Sequence, residues 1–404
     1  MRKGRQVQRR VEVTVVAASV VVLTGVQGIS PALPGLQDSL GLDDAGVSLI
    51  MLVYVVAAAV ASFPSGVLAN RFGTRAVLAW ALTLFGTGGV MLALEGSFPV
   101  LLVVRTVQGA AFGAVLALTI AALADASGRA ELARTQSRRV VAMSLGESVL
   151  PVVAGVLIVL AGEFSVFWLQ ALALPAAVAC AAALPARGAV PRASGASAGS
   201  ALKALRTPFA GAVQAPGFVR FFLKFAVLTY FPLFAGRDHG MSAAAVGLVV
   251  GAAGLLATVS AAATPRILRR LSIPACTVVA LLLSGAPLVL VVVAPGAGWL
   301  TVLLLLWGVG DGIIAVLNNV TASLAAPPDA RSAFIGLTGT IRNVGKLTAP
   351  GVGALASGFL SVGGTIAMIG GASLLALAAV PFIAAGLAGR PGGDSESPPG
   401  REGR

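Results

Sequence analysis

Six charged residues lie inside long apolar stretches: Arg105, Glu147, Lys224, Asp311, Arg342 and Lys346. A charge held away from water is costly, so it pairs, lines a wet cavity or performs a function. Carboxylates can take up and release a proton, which makes Glu147 and Asp311 candidate proton carriers. The competing reading is a pair of permanent ion pairs, Asp311 with Arg342 and Glu147 with Lys346. Arg342 and Lys346 are four residues apart and would share one helix face. A doubly cationic face looks toward water or an anion, so an anionic or zwitterionic substrate is favoured there. Asn318, Asn319, Thr338, Thr340 and Asn343 add polar groups in the same half. Gln108, Lys224 and Tyr230 join Asn318, Asn319, Arg342, Asn343 and Lys346 as candidate cavity residues. The aromatic run Phe221, Phe222, Phe225, Tyr230, Phe231 and Phe234 reads either as packing or as a wall for apolar substrate.

The elements that would position these residues follow from composition. Of 404 residues, 57% are hydrophobic and only 11% charged, and mean hydropathy is +0.95. A soluble domain carries about 25% charged residues. Lipid must therefore be the solvent for much of this chain. One histidine, His239, and two cysteines, Cys180 and Cys276, match no metal or disulfide spacing, so no metal is expected. No phosphate-binding G-x-x-x-x-G-K-[ST] loop is present, which argues against an ATP-driven pump. No cofactor and no enzymatic activity are expected. Transport would then draw on an ion or solute gradient.

A spanning helix needs about 20 apolar residues. Twelve candidates appear, at 11–32, 45–68, 75–94, 98–123, 138–161, 164–184, 217–235, 243–263, 273–294, 298–323, 332–358 and 362–387. The basic N-terminal stretch followed by the first run reads as a retained span rather than a cleaved signal peptide. Lysine and arginine then orient the spans. They cluster before the first span, after each even-numbered one (Arg71 and Arg75; Arg129, Arg134, Arg138 and Arg139; Arg187 to Arg220; Arg266, Arg269 and Arg270; Arg331) and in the tail. The opposite loops hold Arg237 alone, with Asp38, Asp43, Asp44, Glu95 and Glu163. Both termini are therefore expected in the cytoplasm, in a multi-pass plasma-membrane protein. The net charge of +13 is an anchor on that side, not a nucleic-acid surface.

The stretch 185–216 is rich in Gly, Ala, Ser and Arg and reads as a cytoplasmic linker. It separates six-helix bundles at 1–184 and 217–390; residues 391–404 read as a disordered tail. The halves repeat. "LGESVLPVVAG" at 145–155 aligns with "VGKLTAPGVGA" at 344–354, which places Gly146 on Gly345, Pro151 on Pro350 and Glu147 on Lys346. The same shift of 199 lays "LANRF" on "ILRRL", while "VQGAAFGAV" falls on "VGDGIIAVL" only at a shift near 202 or 203. Internal duplication is common in transporters.

Between the second and third spans stands "GVLANRFGTRAVL", with Gly66, Leu68, Asn70, Arg71, Gly73 and Arg75. Together with the six-plus-six span pattern, this resembles the major facilitator superfamily, whose members usually have Asp at the position of Asn70. "RTVQG" at 105–109 resembles the arginine motif that many members carry in the fourth span, often linked to proton movement. Gly146, Pro151 and Gly155 resemble a degenerate form of the exporters' fifth-span pattern, and "GISPALPGL" resembles the first span of drug and metabolite exporters. The resemblance implies an all-α fold of twelve helices in two pseudo-symmetric bundles. It implies a gating loop at Gly66, Asn70, Arg71, Gly73 and Arg75, with Asn70 able to accept a capping bond but not to supply charge. It adds Arg105 to Glu147 and Asp311 as coupling candidates. Gly109, Gly113, Gly146, Pro151, Gly155 and Pro350 would serve helix packing. The expected function is proton-coupled efflux of a small molecule by a monomer in the bilayer, without nucleic acid. The alternatives are an importer and a transport-dead sensor or scaffold of the same fold.

Overall fold

A computed structural model describes residues 2–126, 129–185, 205–326 and 331–388. Most of the linker expected at 185–216, and the tail expected at 391–404, lie outside these residues. Among the described residues the secondary structure is helical and no strand occurs. The helices are α1 (Arg2–Val21), α2 (Leu33–Leu40), α3 (Asp44–Phe72), α4 (Thr74–Leu94), α5 (Phe98–Ala126), α6 (Arg129–Ala161), α7 (Val166–Ala171) and α8 (Ala173–Ala183). Helix α9 (Pro208–Ala212) lies within the expected linker and α10 (Gln214–Arg237) begins before its expected end; then come α11 (Ala243–Ile267), α12 (Ile273–Val289), α13 (Ala297–Ala325), α14 (Arg331–Ala356), α15 (Val362–Leu374) and α16 (Val380–Ala388).

Among the described residues, eleven helical segments are long and apolar enough to cross a membrane. The expected eleventh span, 332–358, falls outside that set although α14 is 26 residues long. At about 1.5 Å rise per residue it has the length; Arg342, Asn343 and Lys346 remove the apolarity. The first span is longer than expected, running from Gln8 to Leu40. It is not one helix: the backbone leaves the α-helix after Val21 and returns at Leu33, across a stretch holding Gly25, Gly28 and Pro31. Helix starts are capped where the chain turns. Asp43, Ser242, Ser272 and Ser361 each accept from the backbone N–H three residues on, which stabilises a helix end by about 0.5–2 kcal/mol.

Packing repeats along the chain. A Cβ at Gly109 or Gly113 would overlap the carbonyl oxygens of Tyr54 and Ala58, so α5 lies directly on the α3 backbone. Exactly analogous overlaps occur between Gly308 and Ala253, and between Gly312 and Ala257, where α13 lies on α11. All four positions recur at a spacing of 199. This corrects the looser register read for "VQGAAFGAV": the true counterpart of Gly109 is Gly308. The first and second halves meet through α6 on α11, α3 on α14, and α10 on α2 and the Ser30–Ala32 turn. Gly155 and Pro151 lie in the α6–α11 contact, against Ala243 and Gly247.

Candidate functional site

Glu12 in α1 and Arg138 in α6 form an ion pair of 2.8 Å, and Gln8 donates to Glu131 nearer the helix starts, so α1 and α6 begin at one end of the molecule, here the terminal end. The opposite, far end is sealed between the halves. Ser30 Oγ donates to the Leu228 carbonyl at 2.6 Å, and the Ser48 and Tyr230 hydroxyls share a hydrogen bond of 2.9 Å. Tyr230 also donates to the Pro350 carbonyl at 3.3 Å. Arg237 Nη1 sits 2.6 Å from Asp44 Oδ1, which also accepts from Gln37 at 2.8 Å.

Below this seal lies a cavity of about 270 Å³, lined from both halves. Gln27, Ser144 and Glu147 come from the first half; Arg220, Lys224, Trp307, Asp311 and Asn319 come from the second. It reaches toward the terminal end, where Val140 and Asn319 are exposed. Lys224 Nζ donates to Glu147 Oε2 at 2.7 Å, a bridge between α10 and α6. Arg220 Nε approaches Asp311 Oδ1 at 2.9 Å, within the second half.

These pairs correct the sequence expectation. Asp311 pairs with Arg220 rather than Arg342, and Glu147 with Lys224 rather than Lys346. The physical reason is that α10 packs on α13 and carries Arg220 and Lys224 one turn apart, so Arg220 meets Asp311 on α13 while Lys224 reaches across the cavity to Glu147 on α6. Arg220 reads from sequence as a loop anchor because it lies near the linker; its spacing of four from Lys224 was the available signal. Arg342 instead donates from Nε to Asn318 Oδ1 at 2.9 Å and from Nη2 to Asn319 Oδ1 at 2.7 Å. Lys346 donates to Asn343 Oδ1 at 3.0 Å and stands 4.9 Å from the Phe221 ring centre.

Other candidates sit elsewhere. Arg105 is fully buried, donates to the Gly25 carbonyl at 2.7 Å and to Gln108 Oε1 at 3.3 Å, and lies over the Tyr54 ring. None of these partners is a carboxylate, so Arg105 ties α5 to α3 and the first span. Gln108 is not a cavity residue either; it donates to the Phe85 carbonyl and to Gln170 within the first half. Tyr230 belongs to the far-end seal. Arg139, read from sequence as a loop residue, is buried and donates to Ser19 and Thr119 hydroxyls.

In the loop between α3 and α4, Gly73 takes φ +87°, a conformation open to glycine without strain. Gly66 does not serve close packing: a Cβ there would meet nothing within 4 Å. Asn70 is exposed, and the N-cap of α4 is Gly73, without a side-chain cap. Arg71 is exposed against Phe72, and Arg75 is half-buried. Gly146 packs on Val20 and Leu23. Pro350 contributes its carbonyl to the seal. No group of His, Cys, Asp and Glu among the described residues could hold a metal.

The chain matches the Major Facilitator Superfamily over residues 15–350. It is 32% identical over 145 residues to an uncharacterized MFS-type transporter of Schizosaccharomyces pombe, covering 34% of this chain and 32% of the relative. It is 33% identical to a probable 4-methylmuconolactone transporter of Cupriavidus pinatubonensis, covering 24% of this chain and 23% of the other. Against the putative multidrug resistance protein MdtD of Escherichia coli, identity is 35%, with 20% and 17% covered. The matched segments span about a third or less of each of these relatives. Solved structures agree along nearly the whole chain. A bacterial homolog of the lysosomal transporter Spinster, inward-facing and unoccupied, matches with a TM-score of 0.73 at 12% identity, covering 95% of this chain and 96% of that one. The peptide transporter POT matches with a TM-score of 0.75 at 16% identity, covering 93% and 94%. A fold shared with these structures, a family match across most of the length and apolar helices throughout lead to one conclusion: the chain belongs to the Major Facilitator Superfamily.

Proposed function

We propose that this protein is a secondary transporter that moves a small molecule by alternating access, coupled to protons and working as an exporter. Twelve helices form two pseudo-symmetric bundles, 1–184 and 217–390, with α14 as the polar eleventh span. Both termini face the cytoplasm, so the cavity is open inward and sealed outward. The protein acts as a monomer in the plasma membrane. The observation that carries the reading is the Lys224–Glu147 bridge at 2.7 Å, which joins the halves inside a cavity closed at one end only. Protonating Glu147 removes its charge, releases Lys224 and frees the halves to reorient. Asp311, pinned to Arg220, is the second candidate carrier. Repeated glycine contacts support the two-bundle reading, and the charge asymmetry of the loops supports the orientation.

Everted membrane vesicles test this. Candidate compounds are added with and without an imposed proton gradient, and compound uptake and proton release are followed together. An exporter accumulates compound in everted vesicles only with the gradient, and proton efflux accompanies it. Accumulation in right-side-out vesicles alone would make it an importer. No gradient-dependent movement in either orientation would leave a sensor or scaffold.

A further inference from the structure

The two ion pairs leave a charge imbalance in the second half. Arg220 and Lys224 stand one turn apart on α10, Arg342 and Lys346 one turn apart on α14, and these helices pack together. The first two cations are balanced by Asp311 and Glu147. Among the described residues the second two contact neutral groups alone: Arg342 the amides of Asn318 and Asn319, Lys346 the amide of Asn343 and the face of Phe221. Amide oxygens orient a cation but supply no countercharge, so half-buried cations held this way are an incomplete arrangement. The Asn318 and Asn319 bonds engage Nε and Nη2 of Arg342, and Nη1 has no hydrogen bond among the described residues. Arg342 and Lys346 stand just behind the cavity lining: Asn319, which lines it, accepts from Arg342, and Lys346 shares the Phe221 ring with Arg220, which also lines it.

Resting on the reading of this cavity as a transport site, we infer that Arg342 and Lys346 bind a small substrate carrying two negative charges. The shared chemistry is a dianion, either a short dicarboxylate or a phosphate monoester. Side chains four apart on a helix have Cβ atoms about 5–6 Å apart, so two cations can engage two carboxylates or the oxygens of one phosphate. Guanidinium and ammonium form charge-assisted hydrogen bonds to either. The bound dianion brings the local charge to balance without drawing on the Lys224–Glu147 bridge.

The test uses the purified full-length protein in detergent, titrated calorimetrically with succinate, glutarate, adipate and phenyl phosphate, beside benzoate and ethidium. At least one dianion is expected to bind at least about tenfold more tightly than benzoate, with ethidium weakest. Arg342→Gln and Lys346→Gln should each weaken that dianion about tenfold, as loss of one charge-assisted contact does. Arg342→Lys should retain most of the binding, which separates lost charge from lost folding, and unfolding temperatures of all variants are measured alongside. The dicarboxylates and phenyl phosphate distinguish the two sources of charge. Benzoate or ethidium binding as tightly as every dianion, dianion binding unchanged in both Gln variants, or no dianion response at all would overturn the inference. Proteoliposomes separate the two readings. Dianion binding without proton-linked movement removes the transport reading and keeps the site; proton-linked movement of ethidium without dianion binding does the reverse.

Discussion

The two halves share a skeleton and differ in chemistry. Gly109 and Gly113 press α5 onto α3 as Gly308 and Gly312 press α13 onto α11, 199 residues on. Apart from Glu147, which falls on a residue of opposite charge, Lys346, the interior charges do not follow that repeat. Arg105 corresponds to Leu304, Asp311 to Phe112, Lys224 to Gly25, and Arg342 to Met143. Only one carboxylate of the first half, Glu147, faces the cavity, and its partner comes from the second half. The first half buries Arg105 among a carbonyl, an amide and a ring; the second half sets Arg220 and Lys224 against carboxylates in the cavity lining. Close backbone approach depends on absent side chains and survives duplication. Ligand and proton chemistry needs particular atoms and diverges.

The largest effects should come from the shared skeleton. Gly113→Leu and Gly312→Leu each place a side chain on a neighbouring backbone, and overpacking costs about 1–3 kcal/mol or more even where atoms can shift. Both variants should lose most folded protein by size-exclusion chromatography. Full tolerance at one of the two sites would break the equivalence of the halves. Next is Arg105→Met, which leaves the Gly25 carbonyl unpaired in the core. It should cost about 2–3 kcal/mol in thermal unfolding, yet leave ligand charge preference unchanged. A changed preference would move Arg105 from scaffold to site.

Smaller effects belong to the ends of the cavity. Asp44→Asn weakens the far-end contact with Arg237, whose side chains are 22% and 45% exposed. A pair that open to solvent is worth about 0.2–1 kcal/mol. Thiol labelling of a cysteine placed at the far end should rise by no more than about fivefold. Asn70→Asp should do least: Asn70 is exposed here. The added charge acts only if another conformation brings it to a helix start, where it is worth about 0.3–1 kcal/mol. A large drop in stability in that variant would show Asn70 to be engaged in this state.

Much of the scaffold was legible because hydrophobic length is a one-dimensional property. Apolar runs mark the helices, and Gly73 marks a turn. The span that fails the apolar criterion, α14, fails because of Arg342 and Lys346, the residues that also marked it as functional. Pairing was not legible. Glu147 and Lys346 occupy equivalent repeat positions, but which cation reaches Glu147 depends on which helix presents one across the cavity, and that is α10. Gln108 and Tyr230 look like cavity residues from type and depth, yet face Gln170 and Ser48 because of helix rotation. Arg220 and Arg139 look like loop anchors because helix ends extend beyond the apolar runs that define them.

The central claim is that protonation of Glu147 breaks the bridge and lets the far end open. Ser48→Cys, in a Cys180→Ala, Cys276→Ala background, places a thiol in the buried far-end seal. Its labelling by a membrane-impermeant reagent, divided at each pH by that of the same thiol in the unfolded protein so that the changing thiolate fraction cancels, is followed with Glu147 and with Glu147→Gln. With Glu147, labelling should be slow at high pH and rise as pH falls, because the protonated carboxyl no longer holds Lys224. With Glu147→Gln, labelling should be fast and independent of pH. The same pH dependence in both proteins would contradict the account and pass the carrier role to Asp311.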